Sequence, residues 1–179
     1  MDPSKRQIVV DLETLSTKSN GCIVSIGAVA FSINEGILDT FFINIDPSSC
    51  KSYGLDIDPH TINWWKEQSP EARKAWQVDP VPLDEALDKF ALFYGDKSIP
   101  IWGFGANFDV VLLENAFNAT GWNESRPAID KFPWKFWDIY CLRTLANVLG
   151  KRLEKTGVNH NALHDAQAEA KLILEILKS

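Results

Sequence analysis

Five side chains in this 179-residue sequence have types and positions that could cooperate in chemistry: Asp11, Glu13, Asp109, His160 and Asp165. Asp11 and Glu13 close the apolar run Ile8-Val9-Val10, with Leu12 between them. Residues two apart in an extended strand project from the same face, so the two carboxylates stand side by side at the end of a buried strand. Like charges that close repel, and burying them without a partner is costly. A hard divalent cation such as Mg2+ removes the difficulty, because it prefers oxygen ligands. A strand that simply ends in a solvated acidic turn would carry the same letters. Asp109 follows the same grammar, starting a helix directly after a short strand at 99–103, and Asp165 lies about one turn into the last helix with His160 just before it. Strand and helix ends of an α/β sheet are where metal and ligand sites usually gather. Plainer readings stay open: Asp109 as a helix cap, and Asp165 as a complement to the helix dipole. His160 and His164, four apart, would form a transition-metal pair if both were helical, but no third nitrogen or sulfur ligand is evident.

The elements that must position these groups follow from local signals. After the first strand, Thr17–Gly21 has turn composition, Ile23–Phe31 is a long β-rich run, and Asn34-Glu35-Gly36 turns the chain into a return strand at Ile37–Ile45. Three antiparallel strands are therefore expected between residues 7 and 46, followed by a loop opened by Asp46-Pro47 and Ser48-Ser49. Asp58-Pro59 and Ser69-Pro70 each pair a capping residue with proline at the first helical position. The first of these helices carries Trp64 and Trp65, which diverge by about 100°, so one is expected in the core and the other over a groove or a base. A third helix from Pro82 sets Leu83, Leu87, Phe90 and Tyr94 on one face. The helix beginning at Asp109 buries Val110, Leu113, Ala116 and Phe117 and ends at Thr120-Gly121. Gly103-Phe104-Gly105 lacks the third glycine and the lysine of a phosphate loop. Phe132–Trp137 reads as a strand or extended edge, Tyr140–Leu149 as a helix, and Ala162–Leu177 as the closing helix. Strands first, then alternation of strand and helix, indicate an α/β fold.

At this length a single domain over 1–179 is expected. No apolar run approaches the roughly 20 residues that span a bilayer, and the start of the chain has no signal-peptide pattern, so no membrane partner and a cytoplasmic setting are expected. Cys22, Cys50 and Cys141 are odd in number and far apart, which suggests neither a disulfide framework nor a zinc knuckle. The net charge of −6 disfavours a tight, sequence-independent nucleic-acid binder, although two divalent ions on the carboxylates would reduce it to −2. Between Arg126 and Lys155 the chain is locally basic, with Lys131, Lys135, Arg143, Lys151 and Arg152 against Asp130, Asp138 and Glu154. That stretch reads equally as one basic surface or as a solvated face. Seven tryptophans are many for this length. Most should fill the core, with Trp64 or Trp65 the better choice for stacking on a base.

Taken in order, these motifs resemble the DnaQ-like 3′–5′ exonucleases of the DEDDh subclass, in the RNase H-like superfamily. Asp11-Leu12-Glu13 matches the first motif, Asp109 in Asn107-Phe108-Asp109 the second, and His160-Asn161-Ala162-Leu163-His164-Asp165 the third. The likeness covers nearly the whole chain. It is greatest to the small phage and bacterial DexA-type exonucleases, through Asp11–Leu15, Ile23–Val29, the Trp64-Trp65 pair and His160–Leu163. Two positions depart: Gly105 stands where members often have asparagine, and Cys141 where many have an acidic residue.

The resemblance implies a mixed five-stranded sheet flanked by helices, its first three strands an antiparallel meander and its later ones parallel. It implies hydrolysis of single-stranded DNA or RNA 3′ ends to nucleoside 5′-monophosphates. Two divalent metal ions, Mg2+ with Mn2+ as a substitute, would be held by Asp11, Glu13, Asp109 and Asp165. Asp11 would bridge both ions, Glu13 and Asp165 would serve mainly one, Asp109 the other, and His160 would take the proton from the attacking water. Thr14, Leu15, Trp64, Trp65, Asn107 and Phe108 are the implied substrate contacts. A homodimer is compatible with the resemblance and with the aromatic surplus. The alternatives are an inactive nucleic-acid or protein-binding module on the same fold, or a phosphodiesterase for short oligonucleotides or dinucleotides.

Overall fold

The structure is a computed structural model that describes residues 2–122, 131–154 and 157–178. Arg126, Asp130 and Lys155 of the locally basic stretch lie outside the described residues. β1 (Gln7–Thr14), β2 (Ile23–Ser32) and β3 (Gly36–Asn44) form the expected antiparallel meander. β4 (Ile101–Gly103) then pairs parallel to the other side of β1, and β5 (Ile139–Cys141) parallel to β4. The sheet order β3-β2-β1-β4-β5 places β1 in the middle, so the strand that ends in Asp11 and Glu13 is the central one, with two strands on either side.

The period of two in β1 sorts its residues between two cores. Ile8, Val10 and Leu12 join the cluster formed with α4 (Leu83–Tyr94) and α5 (Ala106–Ala119). Val9 joins the opposite cluster, with Ala166, Ala170 and Ile173 of α7 (Ala162–Lys178) and Leu142 and Ala146 of α6 (Leu142–Val148). Asp11 and Glu13 continue the Val9 side and therefore face α7.

α2 (Pro59–Glu67) and α3 (Pro70–Ala75) begin as their capping signals require: Asp58 accepts from the His60 N–H and Ser69 from the Ala72 N–H. Two expectations change. Asp46-Pro47 does not open a loop but caps a short helix, α1 (Pro47–Ser52), with the Asp46 side chain accepting from the Ser48 N–H. The aromatic stretch 132–137 leads into a single 3-10 turn at Phe136–Asp138, and the strand follows at 139–141, where a helix start is expected. Cys22 and Cys50, distant in sequence, are in hydrogen-bonding contact as buried free thiols. Three of the remaining basic residues have separate local partners: Lys151 pairs with Glu175 at 2.7 Å, Arg143 lies over the Phe104 ring, and Lys135 over the Trp137 ring. Among the described residues, no helix is long and apolar enough to cross a membrane.

Candidate active site

The end of β1 is where the acidic groups meet. Glu13, His160 and Asp165 each offer a ligand atom within 4.8 Å of the others. Asp11 lies beside them, and the carboxylates of Asp109, Glu13 and Asp165 all act on it. The structure thus gathers all five residues singled out by spacing.

Each is placed by a specific local device. Asp109 sits in the first turn of α5, which begins at Ala106, three residues before the expected start. Its carboxylate accepts from its own N–H and from the N–H of Leu12. The Ile8 N–H bonds to the Pro100 carbonyl. Alternation along the strand therefore aims the Leu12 N–H the same way, past the end of β4, and Asp109 takes up a donor that the short strand leaves over. Gly105, the residue before α5, has φ +112°, and an added Cβ there would come to 3.3 Å from the Arg143 guanidinium. The positive φ alone disfavours a side chain at that position, since the Arg143 guanidinium ends a flexible chain.

Asn161 directly precedes α7 and its side chain accepts from the His164 N–H, and His164 Nδ1 in turn accepts from the Val158 N–H. His164 therefore ties the preceding loop to the helix and is not part of the Glu13–His160–Asp165 cluster. His160 itself has φ +60°, a region sparsely used by residues other than glycine. Its ring lies nearly perpendicular to those of Trp64 and Trp65, with centroids 4.8 Å and 6.1 Å away.

Gly27 fixes how closely α7 approaches. It pairs with Asp11 across β1 and β2, and an ideal Cβ on it would lie 2.1 Å from the Ala162 carbonyl carbon. Backbone meets backbone here, and only glycine allows it. The contact draws the first turn of α7, with Asp165, down beside Asp11.

The electrostatics are those of a site built for cations. Burial raises the Asp11 carboxyl well above the usual range, and the charges of Glu169, Asp109, Glu13 and Asp165 raise it further. Although Asp11 as a residue is only partly buried, its carboxyl lies among these groups. Burial pushes Asp109 up to about 7, opposed by its backbone hydrogen bonds and by Arg143. Carboxylates that repel one another in a low-dielectric pocket are the donor set that hard divalent ions bind, so the residues present fit such ions. Burial also raises the Cys141 thiol, but hydrogen bonds from Thr144, Ala106 and Gly105 outweigh it and leave the thiol below its ordinary value.

A cleft of about 430 Å³ opens next to the cluster, walled by Leu12, Glu13, Thr14, Trp64, Trp65 and Phe108 among others. The two tryptophans divide as expected. Trp65 is 4% exposed and its indole N–H donates to the Thr14 carbonyl at 2.8 Å, while Trp64 is 41% exposed. Leu15 is buried in the core, and neither it nor the exposed Asn107 lines this cleft. Sequence spacing missed Glu169, which is buried and acts on Asp11 more strongly than any other charge. Its position four residues after Asp165, on the same helical face, is the only signal that pointed to it.

A family model described as the 3′–5′ exoribonuclease Rv2179c-like domain matches residues 6–177. The chain belongs to this family. This exoribonuclease-family chain is 29% identical over 163 residues to an exodeoxyribonuclease of Enterobacteria phage T4, covering 79% of this chain and 70% of the relative. Among solved structures it is similar to the nuclease domain of 3′hExo, a DEDDh family member bound to rAMP. That match has a TM-score of 0.58 and 13% identity, over 99% of this chain and 94% of that one. It is also similar to the zinc-bound E. coli ExoI–ssDNA complex, with a TM-score of 0.61 and 12% identity, over 98% of this chain. It spans only 40% of the ExoI chain. The family match makes it a 3′–5′ exonuclease domain, and the structural matches show that it shares the fold of these nucleases.

Proposed function

We propose that this exonuclease domain, taken as residues 1–179, removes nucleotides one at a time from single-stranded 3′ ends. It releases nucleoside 5′-monophosphates with two divalent ions, Mg2+ or Mn2+, and His160 as general base. The observation that carries the reading is the meeting of Glu13, His160 and Asp165 within 4.8 Å, beside Asp11 and Asp109, at the rim of an aromatic cleft. Asp11, Glu13, Asp109 and Asp165 would hold the ions. When bound, such a pair activates water and stabilises the leaving oxygen of a phosphodiester.

The chain's own groups do the rest. His160 takes the proton of the attacking water, a task suited to an imidazole whose unperturbed pKa is near 6.5. Near-perpendicular contacts with the Trp64 and Trp65 rings hold the imidazole in place. The bond from Trp65 to the Thr14 carbonyl ties the cleft wall to the end of β1, next to Glu13. Trp64, half open to solvent, and Phe108 offer faces for the terminal base, a contact that discriminates little between bases. The zinc-bound ExoI relative with single-stranded DNA supports both the metal requirement and the substrate form.

The family description names an exoribonuclease and the phage relative is a deoxyribonuclease, so the sugar is the first specificity to measure. The test is digestion of matched single-stranded DNA and RNA oligomers, labelled at the 5′ or the 3′ end, with Mg2+, Mn2+ or EDTA. A ladder shortening from the 3′ end, with monophosphate released only when a divalent ion is present, is the expected result. Internal cuts, or cleavage that survives EDTA, would overturn the proposal.

A further inference from the structure

The last helix carries a buried carboxylate that the four-carboxylate scheme does not use. Glu169 is 2% exposed and lies one turn beyond Asp165, between Ala166 and Ala170, whose side chains pack against Val9 of β1. Asp11 faces the same side of the sheet as Val9, and Glu169 stands on the face of α7 that carries Asp165 four residues earlier, so both carboxylates lie in the layer between α7 and β1. It is absent from the lining of the substrate cleft. A buried glutamate in an alanine-rich face costs stability. Packing alone would be served as well by glutamine or leucine of similar size.

We propose that Glu169 is a positioning residue of the metal centre: from behind Asp11 it directs that carboxylate toward the ions and adds a fifth negative charge to the pocket that binds them. The inference rests on the metal-dependent reading above. Glu169 acts through Asp11, so its signature is metal affinity rather than a contact with substrate. Groups that orient metal ligands from behind typically change affinity 10–100-fold when altered.

The test is Mn2+ binding followed by electron paramagnetic resonance of the free ion, on the wild-type chain, Glu169→Gln and Glu169→Asp, with melting temperatures of each measured without metal. Glu169→Gln keeps size and removes charge. It should weaken Mn2+ binding about 10-fold and leave the metal-free protein at least as stable as wild type. Glu169→Asp keeps the charge and should retain affinity within about 3-fold, which also covers the case in which the glutamine variant does not fold. Wild-type affinity in Glu169→Gln, or equal losses in both variants, overturns the proposal. A wild-type chain that binds no Mn2+ fails differently, since it overturns the metal reading itself.

Discussion

Gly27→Ala tests whether the close approach of α7 to β2 builds the site. The added methyl carbon would lie 2.1 Å from the Ala162 carbonyl carbon and 2.3 Å from the Leu163 nitrogen, both backbone atoms with no side-chain torsion to relieve them. Carbon atoms rest about 3.5–4.0 Å apart, so the start of the helix must withdraw by more than about 1 Å. Asp165 sits in the first turn of that helix and His160 just before it, while Glu13 stays on β1. Metal sites tolerate ligand shifts of about 0.2 Å, and a misplacement of about 1 Å costs on the order of 10²-fold in rate. Overpacking of this kind destabilises by about 1–3 kcal/mol, too little to unfold a domain of ordinary stability. The variant should therefore keep its circular dichroism spectrum, bind Mn2+ more weakly, and cleave a 5′-labelled oligonucleotide about 10²-fold more slowly. A folded Gly27→Ala protein with wild-type metal affinity and rate would refute the reasoning.

Three further outcomes follow from the same geometry. Asp11→Asn removes the centre of the repulsive cluster, so the metal-free protein should melt higher than wild type while turnover falls about 10³-fold; a less stable, fully active variant would contradict both halves. Asp109 and Asp11 titrate above their unfolded value of 3.8, so the native chain keeps protons that the unfolded chain has released, and metal-free stability should fall as the pH rises from 5 to 7. Divalent ions compete with those protons, so the metal-induced rise in Tm should grow over the same window; a metal-free Tm that climbs instead would count against the raised carboxyls. Trp64→Ala should raise KM for oligonucleotides by about 5- to 150-fold, equivalent to about 1–3 kcal/mol of stacking, whereas Trp65→Ala should chiefly lower Tm by removing a buried ring and its bond to Thr14. An unchanged KM in Trp64→Ala would remove the stacking role.

Much of this architecture could be read from residues alone because the signals were local. Period-two runs marked the meander, the Asp58-Pro59 and Ser69-Pro70 pairs marked two helix starts, and the acidic groups fell at element ends. The failures were also local in origin. Asp46-Pro47 carries the same capping signal as Asp58-Pro59, but the helix it starts is six residues long with Cys50 its only buried residue, so no apolar periodicity announced it. β5 is three residues long and owes its register to β4, which no nearby residue reveals. Glu169 and Gly27 were invisible for a different reason. One looks like an ordinary helical glutamate and the other like a strand glycine, and each acquires its role only when α7 comes to rest on β1 and β2. Of the residues linked to substrate, Thr14, Trp64, Trp65 and Phe108 reach the cleft, whereas Leu15 turns into the core.

The claim that bears the most weight is that side chains more than a hundred residues apart in sequence close one pocket around a pair of cations. Counting Mn2+ bound per chain at equilibrium, by the electron paramagnetic resonance signal of the free ion, tests it directly. Two ions on the wild-type protein, with binding sharply reduced in Asp11→Asn, is the predicted result. A wild-type chain that takes up no Mn2+, or an Asp11→Asn chain that binds it as well as wild type, would contradict the account.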